Sequence, residues 1–243
     1  MSGITRFAVH SYSGYHAPVD SLIKHSAFPN MKFWVTEWNA WRDGLDDGIK
    51  TAYNYQFAAQ CMEYLLDFLK NGATAALVWE GYDSYYDHHA PSLFSYWGIL
   101  EYDKGNKTYT PRKHFFAISQ ISKYVTPGSW QVELQNSDSK APAIAFFNPS
   151  RNAPVIVGIN TYNKPTQVEI SLDNFPGIKS VQLIFTDSIN NLKIQKTYLP
   201  DKKGKLRIVV PANCIYTLVA EPAATSGAGT LNNKLKAKGW YAG

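Results

Sequence analysis

No stretch of the 243 residues holds eighteen consecutive apolar side chains, so the sequence predicts no membrane-spanning helix and no membrane partner. Cysteine is scarce. Cys61 and Cys214 are too few for a disulfide framework or a four-thiolate zinc site, and each is expected as a separate buried thiol. A glycine-rich phosphate loop is missing, which argues against a nucleotide cofactor. So is the G-x-S-x-G elbow that Ser11 and Ser13 beside His10 would need to act as a serine hydrolase. There is no internal repeat. There is also no dense basic patch: the net charge of +5 divides as −1 over residues 1–124, +3 over 125–222 and +3 in the last 21 residues. That distribution argues against a nucleic-acid partner. Lys202, Lys203, Lys205 and Arg207 read as a solvated hairpin tip. Asp83, Asp87, His88 and His89 come nearest to a metal cluster, but adjacent histidines diverge on an extended chain and no further ligand spacing recurs, so a hydrogen-bonding loop is expected instead. No metal and no cofactor are expected.

What is present is apolar and aromatic. Hydrophobic residues make up 45% of the chain, enough for a large core and too many for general disorder. Of 35 aromatic residues, 25 fall in residues 1–124, where the charge is nearly balanced. Such a surface suits stacking on a flat, uncharged ligand, with sugar the leading candidate.

The first half alternates strand and helix: strands at 6–11, 32–37 and 75–80, helices at 18–28, 49–71 and 111–124. In the long helix Ala52, Tyr55, Ala59, Met62, Leu65, Leu66 and Leu69 follow a 3.6-residue period, and Gly72 sits where a helix C-terminal glycine belongs. The long loop at 81–110 includes a small hairpin around Asp103–Asn106. Near-continuous apolar strands joined by helices predict a parallel sheet buried on both faces. From Val125 the pattern becomes eight short strand-like segments separated by turn signals, the mark of an antiparallel β-sandwich. The predicted organisation is a partial barrel unit over 1–124, a sandwich side domain over 125–222 and a flexible tail over 223–243. Three strands do not close an eight-stranded α/β barrel, which takes about 250 residues.

Active sites in parallel α/β folds lie at the C-terminal strand ends. Here those ends are His10-Ser11-Tyr12, Thr36-Glu37-Trp38 and Trp79-Glu80-Gly81. A carboxylate flanked by indole and phenol rings is what glycosidic chemistry requires: it attacks or shields an oxocarbenium-like centre while an aromatic face stacks on the ring. Glu37 is the candidate nucleophile; the alternative is a strand-end glutamate paired with a lysine. Tyr12 lies two residues from His10, hence on the same side of an ideal strand, and is either a hydrogen-bond donor to the carboxylate or a packed aromatic at a strand end. His10 is either a sugar ligand or a satisfied core histidine. Trp79 is either a stacking platform or a core tryptophan. Trp38, Trp41, Tyr82, Tyr85 and Tyr86 are candidate cleft residues.

Four segments then carry a resemblance. KFWVTEWNAW at 32–41 resembles the nucleophile strand of the clan A glycoside hydrolases. FAVHSYSGY at 7–15 resembles the strand before it, and AALVWEGYDSYY at 75–86 resembles the eighth strand, whose tryptophan floors a sugar subsite. YTPRKHFFAISQISKYVTPGSWQVEL at 109–134 resembles the junction in glycoside hydrolase family 30 where the last barrel helix runs into a side β-domain. The resemblance covers roughly residues 5–221. It implies the last three βα units of a (β/α)8 TIM-type barrel followed by an antiparallel β-sandwich.

By this resemblance the chain carries part of a retaining hydrolase of β-linked oligo- or polysaccharides. Glu37 would be its catalytic nucleophile, with His10, Tyr12, Trp38, Trp79, Glu80 and Tyr82 binding substrate. The family's general acid/base sits in an Asn-Glu pair ending the fourth barrel strand, and this sequence contains no Asn-Glu dipeptide. Glu80, beside the stacking tryptophan, is expected to bind a sugar hydroxyl. Either a missing N-terminal barrel half completes the site, or the chain is an inert carbohydrate-binding or self-associating barrel fragment. The family implies a secreted or periplasmic location, although no signal peptide is visible in the chain.

Overall fold

The computed structural model describes residues 3–12, 17–40, 55–86, 93–94, 96–134, 138, 140–172 and 174–223. The chain divides into two compact units, one ending at Ile118 and one beginning at Ser119.

The first unit opens with β1 (Arg6–Ser11), α1 (Ala17–Lys24), β2 (Lys32–Trp38), α2 (Tyr55–Lys70) and β3 (Ala73–Val78). The three strands form one parallel sheet in the order β1-β2-β3. Helix α2 closes on Gly72, whose φ of 95° is the left-handed turn a helix C-terminus favours. Its buried stripe is Phe57, Ala58, Cys61, Met62, Leu65, Leu66 and Phe68. The sequence placed this face slightly differently, on Tyr55, Ala59 and Leu69, because aromatic and aliphatic residues occupy both flanks of the stripe. Burial pushes the Cys61 thiol pKa up to about 12, consistent with an inert packed sulfur.

Two small ribbons follow, the second of them the hairpin expected around Asp103–Asn106. The first joins β4 (Tyr85–Tyr86) to β5 (Leu93–Phe94), the second joins β6 (Leu100–Asp103) to β7 (Thr108–Pro111). The β6–β7 turn is held by Asp103, whose Oδ1 accepts the Gly105 and Asn106 amides at 2.8 and 3.2 Å. Helix α3 (Lys113–Ser122) ends the unit and continues into the next.

The expectation that the parallel strands are buried on both faces fails at β1. Among the described residues only β2 pairs with it, Phe7 is 43% exposed, and Leu77 on the opposite edge strand β3 is 48% exposed. Apolar composition records a strand's need for cover, and among the described residues nothing covers these edges. No helix of the described residues is long and apolar enough to cross a membrane.

The second unit contains β8 (Trp130–Val132), β9 (Ala143–Asn148), β10 (Ala153–Asn160), β11 (Thr166–Ser171), β12 (Ile178–Thr186), β13 (Lys193–Tyr198), β14 (Lys205–Val210) and β15 (Cys214–Pro222). Six strands form an antiparallel sheet in the order β13-β12-β15-β10-β9-β8, and β11 pairs with β14 as a separate ribbon. Burial alternates strictly along β14, so Leu206, Ile208 and Val210 face inward. They join Val181, Leu183 and Phe185 of β12 and Tyr216 and Leu218 of β15 in one buried cluster. Gln120 at the end of α3 is tied in here: it donates to Thr186 Oγ1 at 2.9 Å and accepts from Thr217 Oγ1 at 2.6 Å.

His114 in α3 predicts an acid limit for the first unit. It is fully buried, edge-on to Phe57 with ring centroids 5.2 Å apart. Burial first, and the Arg112 charge second, lower its pKa to about 3. A histidine lowered in the folded state is neutral there while its unfolded counterpart charges near pH 6.5. The stabilising contribution is therefore complete above about pH 6.5 and is lost as pH falls toward 3, at up to about 1.4 kcal/mol per pH unit. Urea titrations from pH 7 to 4 should show this loss, and His114→Phe should flatten it. An unchanged acid slope in the variant would refute the assignment.

Candidate active site

The register of β1 against β2 places the central pair of side chains. It runs in step from Arg6↔Lys32 to Val9↔Val35, then slips by one residue so that His10 pairs with Glu37 and Ser11 with Trp38. Thr36 is the extra residue, and its hydroxyl donates to Val9 O at 3.3 Å. The slip reverses the alternation of β2. Phe33 and Val35 are buried, Glu37 is half-buried, and Trp38 takes the buried side in its place.

Glu37 is thereby gripped by two residues of β1 and its exit. Tyr12 Oη donates a hydrogen bond to Oε1, and His10 Nδ1 lies 3.4 Å from Oε2. The Glu37 side chain is 27% exposed and that of His10 63%, so the carboxylate is held but open to a ligand. Among the described residues no lysine pairs with it, unlike the strand-end alternative weighed from sequence.

Trp38 needs correction. It is 1% exposed and packs edge-on against Phe68 of α2 at 5.5 Å, so it is a core residue and not a cleft wall. The reversal of alternation is the physical reason: with Glu37 turned outward, its neighbour must turn in.

Trp79 leaves β3 beside β2, its amide donating to Trp38 O at 2.7 Å. The Trp79–Glu80 peptide is cis. Glu80 takes its place against the following loop: its amide reaches Trp97 O at 3.4 Å, its carbonyl accepts from Ile99 at 2.9 Å, and Oε2 accepts the Ser84 hydroxyl at 3.3 Å. Tyr82 is 54% exposed and meets Tyr109 edge-on at 5.6 Å, while Tyr109 lies 4.9 Å from Tyr102 across the β6–β7 ribbon. Trp41, Asp87, His88, His89 and the side chains of Tyr85 and Tyr86 lie outside the described residues.

Two features escaped the sequence. Asn39, fully buried just beyond β2, ties the ends of β2 and β3 together. Asp83 is the acceptor of a buried bidentate pair with Arg112, at 2.6 and 2.7 Å. Its two oxygens also accept the Gly98 and Tyr102 amides at 3.0 and 3.2 Å, and Arg112 Nη1 donates to Gly98 O at 2.6 Å. Gly98 is required there: a Cβ would stand 2.3 Å from the Asp83 amide nitrogen. The clasp fixes the segment that carries Glu80 and Tyr82. The spacing of 29 residues between acid and base left no local signal.

No family model and no curated protein matches the chain. Solved structures do. The GH30 endoxylanase of Clostridium papyrosolvens C71 superposes with a TM-score of 0.64 at 18% identity, over 88% of this chain and 48% of its own. The GH30 subfamily 8 xylanase Xyn30A of Clostridium acetobutylicum gives 0.66 at 18% identity, over 89% and 48%. The endo-β1,6-glucanase BT3312 gives 0.61 at 16% identity, over 91% and 41%. This chain thus spans less than half the length of these enzymes. Its fold is that of the C-terminal portion of a glycoside hydrolase family 30-like enzyme.

Proposed function

We propose that the chain carries the nucleophile half of a retaining β-glycosidase site. The observation that supports this reading most is Glu37, at the end of a parallel strand, hydrogen-bonded by Tyr12 and approached by His10 while still open to solvent. In the reaction the Glu37 carboxylate attacks the anomeric carbon. The bond to the leaving oxygen breaks, and water later hydrolyses the glycosyl ester. Tyr12 keeps one carboxylate oxygen occupied so that the other faces the sugar. Trp79 offers a stacking surface, Tyr82 extends it, and His10 and Glu80 bind hydroxyls. Trp38 takes no part in contact with sugar.

The second carboxylate, needed about 5–5.5 Å from the first, comes from a strand outside this chain. The open edges of β1 and β3 support that arrangement: they suit a polypeptide supplying the remaining strands of a (β/α)8 barrel. In this reading residues 1–124 are the barrel part and 125–222 a β-sandwich side domain, while the tail expected over 223–243 lies, from residue 224, outside the described residues. The intact enzyme works on β-linked polysaccharide outside the cytoplasm. Xylan is the first substrate to try, because two of the three similar structures named above are xylanases.

Dinitrophenyl β-xyloside tests the reading without the missing acid, since its leaving group departs unprotonated. Slow turnover by this chain alone, and a rise on adding the N-terminal half of a family 30 enzyme, is the expected result. A second reading has its own observation. Exposed Phe7 and Leu77 at the sheet edges favour self-association. Sugar binding without turnover, with a mass that rises with concentration, would select an inert self-associating fragment instead.

A further inference from the structure

Asn39 has no role in the chemistry above, yet its carboxamide is fully buried and fully engaged. Nδ2 donates to Trp79 O at 2.5 Å and to Trp97 O at 3.3 Å. Oδ1 accepts the Ala40 amide at 2.8 Å and the Cys61 thiol of α2 at 3.5 Å. Trp79 is therefore held at both of its backbone polar groups, its N–H by Trp38 O at 2.7 Å and its carbonyl by Asn39. Both grips come from the two residues that follow Glu37. One three-residue segment thus bears the carboxylate and also fixes the tryptophan on the neighbouring strand. Only a side chain with a donor and an acceptor on one short planar group can serve these partners together: serine is too short, leucine has neither function, and an ionised aspartate has no donor.

We propose that Asn39 is a positioning residue that sets the Trp79 indole relative to the Glu37 carboxylate, so that both address one sugar. The ligand part of this inference rests on the glycosidase reading; the backbone part does not. Asn39→Asp keeps the shape and changes only the hydrogen-bonding character. At about pH 8 the carboxylate faces two carbonyl oxygens and repels them, whereas at about pH 5 burial and those same oxygens favour the protonated acid, which regains one donor. Xylohexaose binding, followed by tryptophan fluorescence, is expected to weaken about tenfold or more at the higher pH and to return to within about threefold of the parent at the lower. A side chain that merely fills space would show the same loss at both.

Amide hydrogen exchange supplies a readout that needs no ligand. In Asn39→Ser the segment around Trp79 should exchange about tenfold faster or more, while the centre of β2 around Phe33 and Val35 stays protected. Acceleration spread evenly over the sheet, or none at Trp79, overturns the proposal. If the parent chain binds no xylohexaose, the sugar reading fails for that ligand, and the exchange result still decides whether Asn39 holds Trp79.

Discussion

Glu37→Gln is expected to lower turnover of dinitrophenyl β-xyloside by at least about 10³-fold. The substitution is nearly isosteric, and the amide oxygen still accepts from Tyr12, so the fold around the site should persist. What disappears is the negative charge that attacks the anomeric carbon, and no neighbouring group on β1 or β3 stands in for it. Two accompanying results would identify the role and not only the need. A fluorinated xyloside with an activated leaving group should add one sugar mass to the peptide bearing Glu37 and nothing to the variant. Azide should restore turnover to Glu37→Gly by entering the space left by the side chain. Tyr12→Phe should cost less, about tenfold to a hundredfold, because it removes one hydrogen bond to a charged group and leaves the nucleophile in place. Residual activity above about a tenth in Glu37→Gln would end the nucleophile assignment.

Strand and helix positions were largely legible because the apolar periods are clean. The strand at 6–11 and the eight segments after Val125 fall within a few residues of the observed strands. The strand ends that carry His10 and Glu37 were legible for the same reason, each apolar run stopping at a polar residue, whereas β3 stops at Val78, before the Trp79-Glu80 end read from the sequence. What the sequence hid was the one-residue slip between β1 and β2. A bulge leaves no mark in composition, yet it decides which of Glu37 and Trp38 faces outward, and the unslipped alternation would have buried Glu37 with Phe33 and Val35. Asn39 was hidden differently. Its partners Trp79 and Trp97 are 40 and 58 residues away, and backbone carbonyls carry no residue signature. Exposure of β1 was illegible because an apolar strand says that it needs a neighbour and not which polypeptide provides one.

Arg112→Met should be the most damaging single change to the first unit's stability, by about 3–5 kcal/mol. Both partners of the pair are almost completely buried, and the methionine would leave the Asp83 carboxylate without its counter-charge in a dry site. Melting should fall by roughly 10–20 °C on the scale usual for a unit of this size. Replacing both partners, as Asp83→Leu with Arg112→Met, removes the stranded charge, and in many proteins such a swap recovers the whole loss. Here recovery should be incomplete. Asp83 also accepts the Gly98 and Tyr102 amides, and the buried Gly98 amide would be left without that acceptor at a cost of about 1–3 kcal/mol. The pair therefore serves as a backbone anchor as much as an ion pair, and the anchored backbone is the stretch bearing Glu80 and Tyr82. Urea denaturation of the two variants separates these contributions. A double variant as stable as the parent would mean that the charge balance alone mattered, and an Arg112→Met within about 1 kcal/mol of the parent would mean that the clasp holds nothing.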